Sequence, residues 1–274
     1  MRLILRSLHI YPVKSLHGLS MTELSLRPWG PENDRRWLIV DNAGQFITQR
    51  TYPVMATLHV SVTTEGLCLT HSSRPDLVVK HPSDQAHSVM VTVWKDTVPA
   101  LDAGDEAAQW ISEIIGLSCR LVYMPRPESA RPCQWNGHAF TNSFSDGFPV
   151  LVTTLASLDD LNRRLDAPVP MDRFRPNLVV SGAKAWEEDS WARIRIGDTE
   201  LSLVKPCSRC AMTTVDQNTG NIPNRKEPLA TLARFRKQKD GVMFGQNALV
   251  EHTGMISVGD EVEILEFQPS GAEN

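Results

Sequence analysis

The run Arg36-Trp37-Leu38-Ile39-Val40-Asp41-Asn42-Ala43-Gly44-Gln45-Phe46-Ile47-Thr48 decides the class of the fold. Two arms rich in β-branched and aromatic residues flank an Asp-Asn-Ala-Gly turn. Such arms suit a pleated, half-buried surface, and Asn and Gly tolerate the positive φ of a tight turn, so the run predicts a hairpin over 36–48. The device recurs on either side. Residues 58–62 and 67–70 flank Thr64-Glu65-Gly66, residues 3–13 form a strand candidate, and residues 90–94 add another. One helix is expected over 105–115, apolar at Ala108, Ile111, Ile114 and Ile115 with acidic residues at its start. Many short strands with turns between them point to a small barrel or sandwich rather than a parallel sheet.

Further along, the pattern mixes α and β. Thr154 is placed to cap a helix carrying Leu158, Leu161 and Leu165 on one face. Strands are expected at 177–181, 192–196, 200–204, 248–252 and 261–265, with a helix at 229–237. Between the halves, 124–134 holds three prolines and two arginines and is the best candidate boundary. The expected division is 1–124, 125–268 and a tail at 269–274, in an α+β, mostly β chain.

Bulk composition narrows the function. The chain has 274 residues, 41% hydrophobic and 22% charged, with a formal net charge of -4. A nucleic-acid protein usually carries a basic domain, so none is expected as partner. The first apolar stretch is broken by Arg6, Ser7 and His9, and nothing approaches about 18 uninterrupted apolar residues, so no signal peptide or membrane span is expected and the location reads as cytoplasmic. Five cysteines are odd in number and too sparse for a disulfide scaffold. Cys68 and Cys119 sit in alternating apolar runs and read as small buried hydrophobes.

Cys207-Ser208-Arg209-Cys210 is spaced for chemistry. A zinc site would need a second Cys pair or a His pair, and neither lies nearby. A thioredoxin-like dithiol expects a helix after the motif, whereas Ala211-Met212-Thr213-Thr214-Val215 is β-branched. Two readings stay open on spacing alone: both cysteines pack a strand end, or one thiolate sits in a positive pocket near Arg209 and Lys205 and serves a redox metal or sulfur transfer. Other strand ends carry cations and amides: Lys14-Ser15, Asp34-Arg35-Arg36, and Arg173-Phe174-Arg175-Pro176-Asn177. Singly each is an ordinary surface group. Together they can form an anion pocket of guanidinium forks and ammonium groups.

Tyr11-Pro12-Val13-Lys14-Ser15, Asn142-Ser143-Phe144-Ser145-Asp146-Gly147-Phe148-Pro149, Phe174-Arg175-Pro176-Asn177, Cys207-Ser208-Arg209-Cys210 with Thr213-Thr214-Val215-Asp216, Arg225-Lys226-Glu227-Pro228-Leu229, and Phe244-Gly245-Gln246-Asn247 occur in that order. This set resembles the MOSC-domain proteins with an N-terminal MOSC β-barrel domain, a group that includes amidoxime reducing components and bacterial reductases of N-hydroxylated bases. The resemblance runs from about residue 2 to 267. It implies a β-rich barrel-like domain packed on a MOSC-type barrel with peripheral helices. It also implies a molybdenum cofactor, a pterin dithiolene with a terminal phosphate whose metal is bound by one cysteine.

By position in the motif that cysteine is Cys210, with Cys207 supporting. Lys14, Ser15 and Arg35 are the implied contacts from the N-terminal part; Asp146, Arg175, Asn177, Ser208, Arg209 and Asn247 are those from the second. Asp216 is read either as a proton relay or as the cap of the turn at Gln217-Asn218-Thr219-Gly220, the turn being the simpler account. The implied activity is reduction of N-hydroxylated bases, hydroxylamines or amidoximes by oxygen-atom transfer. Some longer relatives carry an iron–sulfur domain; no cysteine follows Cys210 here, so no iron–sulfur cluster is expected in this chain, and electrons are expected from a separate ferredoxin- or flavin-reductase-like protein. A non-catalytic cofactor carrier and a persulfide sulfur carrier are the alternatives.

Overall fold

The computed structural model describes residues 2–269, so positions 270–274 of the expected tail lie outside the described residues. Its largest sheet runs in the order Leu19–Met21, Ile4–Ile10, Leu178–Ser181, Val150–Thr154, Gly241–His252, Thr199–Arg209, Trp191–Ile196 and Val262–Phe267, with Lys237–Gln238 pairing alongside. Neighbours are antiparallel except Val150–Thr154 and Leu178–Ser181. A register shift between Leu5 and Ser7 breaks the alternation along Ile4–Ile10, so that Leu5, Leu8 and Ile10 are all buried, in one core with Val152, Val180, Ile194 and Ala248. Each such side chain contributes about 1.5–3 kcal/mol when fully removed from water.

A four-stranded antiparallel sheet, Trp37–Asp41, Cys119–Tyr123, Asp96–Asp102 and Ser88–Val93, and a three-stranded meander, His59–Val62, Gly66–His71 and Arg74–Lys80, build most of the N-terminal half. The helix Asp105–Ile115 lies where expected. Asp105 and Glu106 favour its positive end, Gly116 closes it in the left-handed conformation, and Trp110 and Ile111 pack on the core around Trp37, Ile39 and Leu121. The mostly β, α+β reading therefore describes the molecule.

Several local expectations change. Trp37–Asp41 pairs along one edge with Cys119–Tyr123, and on the other the expected hairpin forms only briefly: Asp41 N–H donates to Gln45 O at 2.9 Å, Phe46 lies opposite Val40, and Ile47 N–H donates to Ile39 O at 3.0 Å. Asp41 still makes the turn, its carboxylate accepting from Ala43 and Gln45 N–H, both at 2.9 Å. The arm then leaves the sheet, and Thr48, Gln49 and Arg50 serve the site described below. The strand expected at 200–204 runs on to Arg209. Thr154 caps Leu155–Asn162 as expected, but that helix stops before Leu165, and the helix at 229 ends at Ala233. The 124–134 stretch holds the short helix Pro127–Ala130 and opens a hairpin, Pro132–Trp135 with His138–Thr141. Its Asn136-Gly137 turn, φ 43 and 85, is a hairpin signal the sequence reading passed over.

Two pairings cross the expected 124/125 division. Ile4–Ile10 joins Leu178–Ser181, and Glu23–Arg27 joins Gly254–Ser257. The first strands of the chain thus complete the sheets of its second half. No helix among the described residues is long and apolar enough to cross a membrane.

Candidate active site

The end of the long strand Thr199–Arg209 shapes the site. A regular strand alternates its side chains, so five consecutive residues cannot all face one cavity. Here the pairing with Gly241–His252 slips between Leu203 and Lys205 and again between Pro206 and Ser208. Bulges of this kind bend a strand and re-aim its side chains. Lys205, Pro206, Cys207, Ser208 and Arg209 consequently all line a cavity of about 270 Å³. Gly241 backs this segment at φ 134, where a Cβ would stand 2.2 Å from Ser208 Oγ.

Lys14 and Ser15 reach the cavity from the turn after Ile4–Ile10, held by Lys14 N–H donating to Trp37 O at 2.9 Å. The Lys14 ammonium is buried and donates to Phe144 O at 2.7 Å and to Asp146 Oδ1 at 2.5 Å. Burial pulls its pKa down to about 8, with the Asp146 carboxylate working the other way. For Asp146, burial works upward but is outweighed by Lys14 and the Trp94 indole N–H, which hold the carboxyl well below the usual range. At neutral pH the pair is therefore ionised, and one Lys14 N–H remains for a ligand.

Tyr11 organises the arginines. The Arg35 and Arg175 guanidiniums lie 4.3 and 4.1 Å from its ring centroid. Burial pushes the phenol up to about 12 and lowers Arg175 to about 10, so the proton stays on each. Asp34, itself buried, accepts from Arg35 at 2.5 Å and from Tyr11 N–H at 2.8 Å. Asn177 Oδ1 accepts from Leu151 N–H at 3.1 Å and Arg35 at 3.3 Å, and its Nδ2 donates to His9 O at 3.1 Å. Much of its amide is thus spent joining strands. Ser15, Arg35 and Arg175 have φ of 66, 48 and 54. Left-handed non-glycine residues cost of order 1–3 kcal/mol each and gather at sites where geometry outranks stability.

The two cysteines differ sharply. Cys207 is half-buried, with Arg209 Nη1 2.9 Å from its sulfur. Cys210 is exposed at the start of the turn Ala211–Thr214, its carbonyl fixed by Thr213 N–H at 3.1 Å and Oγ1 at 3.0 Å. Its sulfur meets one cation, Arg50 Nη1 at 3.8 Å.

All nine expected contact residues, from Lys14 to Asn247, and Cys210 line the cavity. Asp216 does not. Its Oδ1 accepts from Asn218 N–H at 3.1 Å and Thr219 N–H at 3.0 Å, while Oδ2 accepts from Arg173 at 3.0 Å. Burial would raise its pKa, but those hydrogen bonds and Arg173 lower it, so Asp216 is a turn cap held ionised. Thr48 and Arg50 were missed by the sequence reading. They follow what looked like a plain hairpin arm, and the signal available was the polar Thr-Gln-Arg run ending an apolar strand.

Electrostatics and unpaired groups define what fits. Five cations (Lys14, Arg35, Arg175, Lys205, Arg209) line the cavity with one carboxylate, Asp146; Lys14, Arg35 and Lys205 are paired with Asp146, Asp34 and Asp240, which leaves the Arg175 and Arg209 charges for a ligand. Ser15 Oγ and Arg209 Nε are buried without a hydrogen-bond partner, a costly arrangement unless a ligand supplies acceptors. Among the described residues no cluster of three or more His, Cys, Asp or Glu is placed to hold a metal ion. The donor set suits an anionic, amide-edged ligand bearing a soft metal beside one thiolate.

Two family models match the chain. The MOSC domain model matches residues 139–263 and the MOSC N-terminal beta barrel domain model matches residues 2–118. Mitochondrial amidoxime-reducing component 1 of Mus musculus is 37% identical over 277 residues, covering 94% of this chain and 81% of that protein. Mitochondrial amidoxime reducing component 2 of Bos taurus is 35% identical, covering 93% and 81%. Molybdenum cofactor sulfurase of Oryza sativa subsp. japonica is 32% identical over 88% of this chain, a match spanning 32% of that larger protein.

Proposed function

The chain belongs to the MOSC-domain family of the amidoxime-reducing components, and on that premise we propose that it is a molybdenum-cofactor-dependent reductase of N-hydroxylated compounds. The observation that carries this reading is the exposed Cys210 sulfur at the mouth of a five-cation cavity whose Ser15 hydroxyl and Arg209 Nε are buried and unpaired. When bound, the cofactor supplies oxygen-atom-transfer chemistry at its molybdenum. The net reaction takes an N-hydroxylated nitrogen, two electrons and two protons to the reduced nitrogen and water. A separate ferredoxin- or flavin-reductase-like protein provides the electrons.

The protein's part is binding and orientation. Lys14, Arg35, Arg175 and Arg209 hold the terminal phosphate, and the free Ser15 hydroxyl donates to it. Asn177, Ser208 and Asn247 meet the pterin edge, with Asn177 offering one remaining N–H. Asp146, held ionised by Lys14, accepts from the pterin rather than donating protons. Cys210 is the metal's protein ligand, while Cys207 is already engaged by Arg209. Asp216 keeps a structural role. All five cysteines are free, which suits a reducing compartment, and the cytoplasm is the proposed one.

Expression in a host that makes the cofactor, followed by metal analysis and hydroxylamine reduction with an artificial donor, tests this. Well-folded protein without stoichiometric molybdenum sinks the reading. Bound molybdenum without turnover across several N-hydroxylated compounds favours a carrier instead.

A further inference from the structure

Trp94 opens the two-residue turn joining Ser88–Val93 to Asp96–Asp102, with φ 57. Positive-φ turn positions normally hold Gly, Asn or Asp, because Cβ crowding penalises a bulky side chain. Burial does not offset the strain, since 52% of Trp94 is exposed. Contacts instead set the indole at the cavity mouth. Nε1 donates to Asp146 Oδ1 at 2.9 Å, and the Phe46 ring packs 5.2 Å away, tilted by 60°. The Arg50 guanidinium lies 4.9 Å from the indole centroid and 3.8 Å from Cys210 Sγ. An open aromatic surface thus stands one side chain away from the thiol.

We infer that Trp94 is a specificity-determining residue, offering its open indole surface to N-hydroxylated substrates that carry a flat aromatic or heteroaromatic body. This rests on the reductase reading above. Asp146 and Arg50 fix the ring, so little freedom is lost when a second ring packs on it. Offset stacking and apolar burial then add binding that a small hydroxylamine cannot collect, while the polar N–OH end points inward towards Cys210. The contact is the same in ground and transition states, so it belongs in KM more than in kcat.

The test compares benzamidoxime with hydroxylamine on molybdenum-loaded wild type, Trp94→Gly and Trp94→Phe, using an artificial electron donor. Trp94→Gly is expected to lower the benzamidoxime-to-hydroxylamine ratio of kcat/KM about tenfold, chiefly through the benzamidoxime KM, near the top of what one stacking contact supplies. Trp94→Phe keeps an aromatic face without the Asp146 hydrogen bond and is expected to hold most of the ratio. The Trp94→Gly melting temperature is expected at or above wild type, because glycine relieves the positive φ. An unchanged ratio, or equal loss for both substrates with a fallen melting temperature, overturns the inference. Wild type that reduces hydroxylamine but not benzamidoxime also overturns it and leaves the reductase reading standing. Loaded wild type that reduces neither sinks both.

Discussion

Gln49 and Gln217 face each other as a reciprocal amide pair, each side-chain nitrogen donating to the other's oxygen at 3.2 and 3.0 Å, 168 positions apart in sequence. Both are buried, and Gln217 Oε1 also accepts from Arg175 at 3.2 Å. The pair forms the floor beneath the arginine cluster and ties the segment leaving the first turn to the loop beyond Cys210.

Breaking that pair has an unequal cost. Gln49→Leu leaves the Gln217 amide short of partners, and urea unfolding is expected to show a loss of about 1–3 kcal/mol. Adding Gln217→Leu removes the stranded amide, so the double variant is expected to lose less than the sum of the singles. Strictly additive losses would show that the two amides are not coupled.

Glu188 gives the stability a pH dependence of known sign. The residue is fully buried; Oε2 accepts from Thr154 at 2.9 Å and Ser157 at 2.8 Å, while Oε1 has no partner. Burial pushes its pKa from 4.5 up to about 6, against those two hydrogen bonds. The folded state therefore holds the proton more tightly than the unfolded chain. Its contribution is whole below 4.5 and is lost as pH rises through about 6, amounting to about 2 kcal/mol by pH 8. Glu188→Gln is expected to flatten this step in urea titrations at pH 5 and 8. A variant that keeps the step assigns it to another group.

The exposed and engaged cysteines separate by metal content. Cys210→Ser is expected to lose molybdenum and about a hundredfold or more in activity. Cys207→Ser, which alters the sulfur's contacts with Arg209 and Ser208 O, is expected to retain the metal. The opposite pattern in elemental analysis would move the ligand role to Cys207.

Lys14 predicts how anion binding titrates. Its ammonium is charged below about 8 and neutral above, well short of the ordinary lysine value of 10.5. Sulfate, whose charge is constant over this range, is expected to raise the melting temperature of the metal-free protein at about pH 7 and much less at about pH 9. Lys14→Arg is expected to keep the effect at the higher pH. Protection by sulfate that does not change with pH in wild type would remove Lys14 from the anion site.

Much of this was legible in the chain because its signals are local or ordered. Alternating apolar runs announced the strands, apolar spacing behind an acidic start marked the helix at Asp105–Ile115, and ordered cationic motifs marked the residues that line the cavity. What escaped was the choice of partner. The arm at 45–47 does pair back on Ile39–Asp41, but Cys119–Tyr123 also pairs along the other edge of Trp37–Asp41, a pairing no local pattern encodes. Arg50 and Trp94 escaped for the same reason: they matter through Cys210 and Asp146, which stand 160 and 52 positions away. The extension of the strand past Val204 was hidden because two bulges break the alternation that periodicity relies on.

The pairing of Ile4–Ile10 with Leu178–Ser181 bears on how the molecule is made in the cell. During synthesis the first strand leaves the ribosome long before its neighbour is translated. Leu5, Leu8 and Ile10 must wait exposed, or shielded by a chaperone, until roughly two-thirds of the chain has emerged. Expressing residues 1–124 and 125–274 as separate polypeptides would leave an orphan edge on each. The two pieces should recover solubility only when produced together.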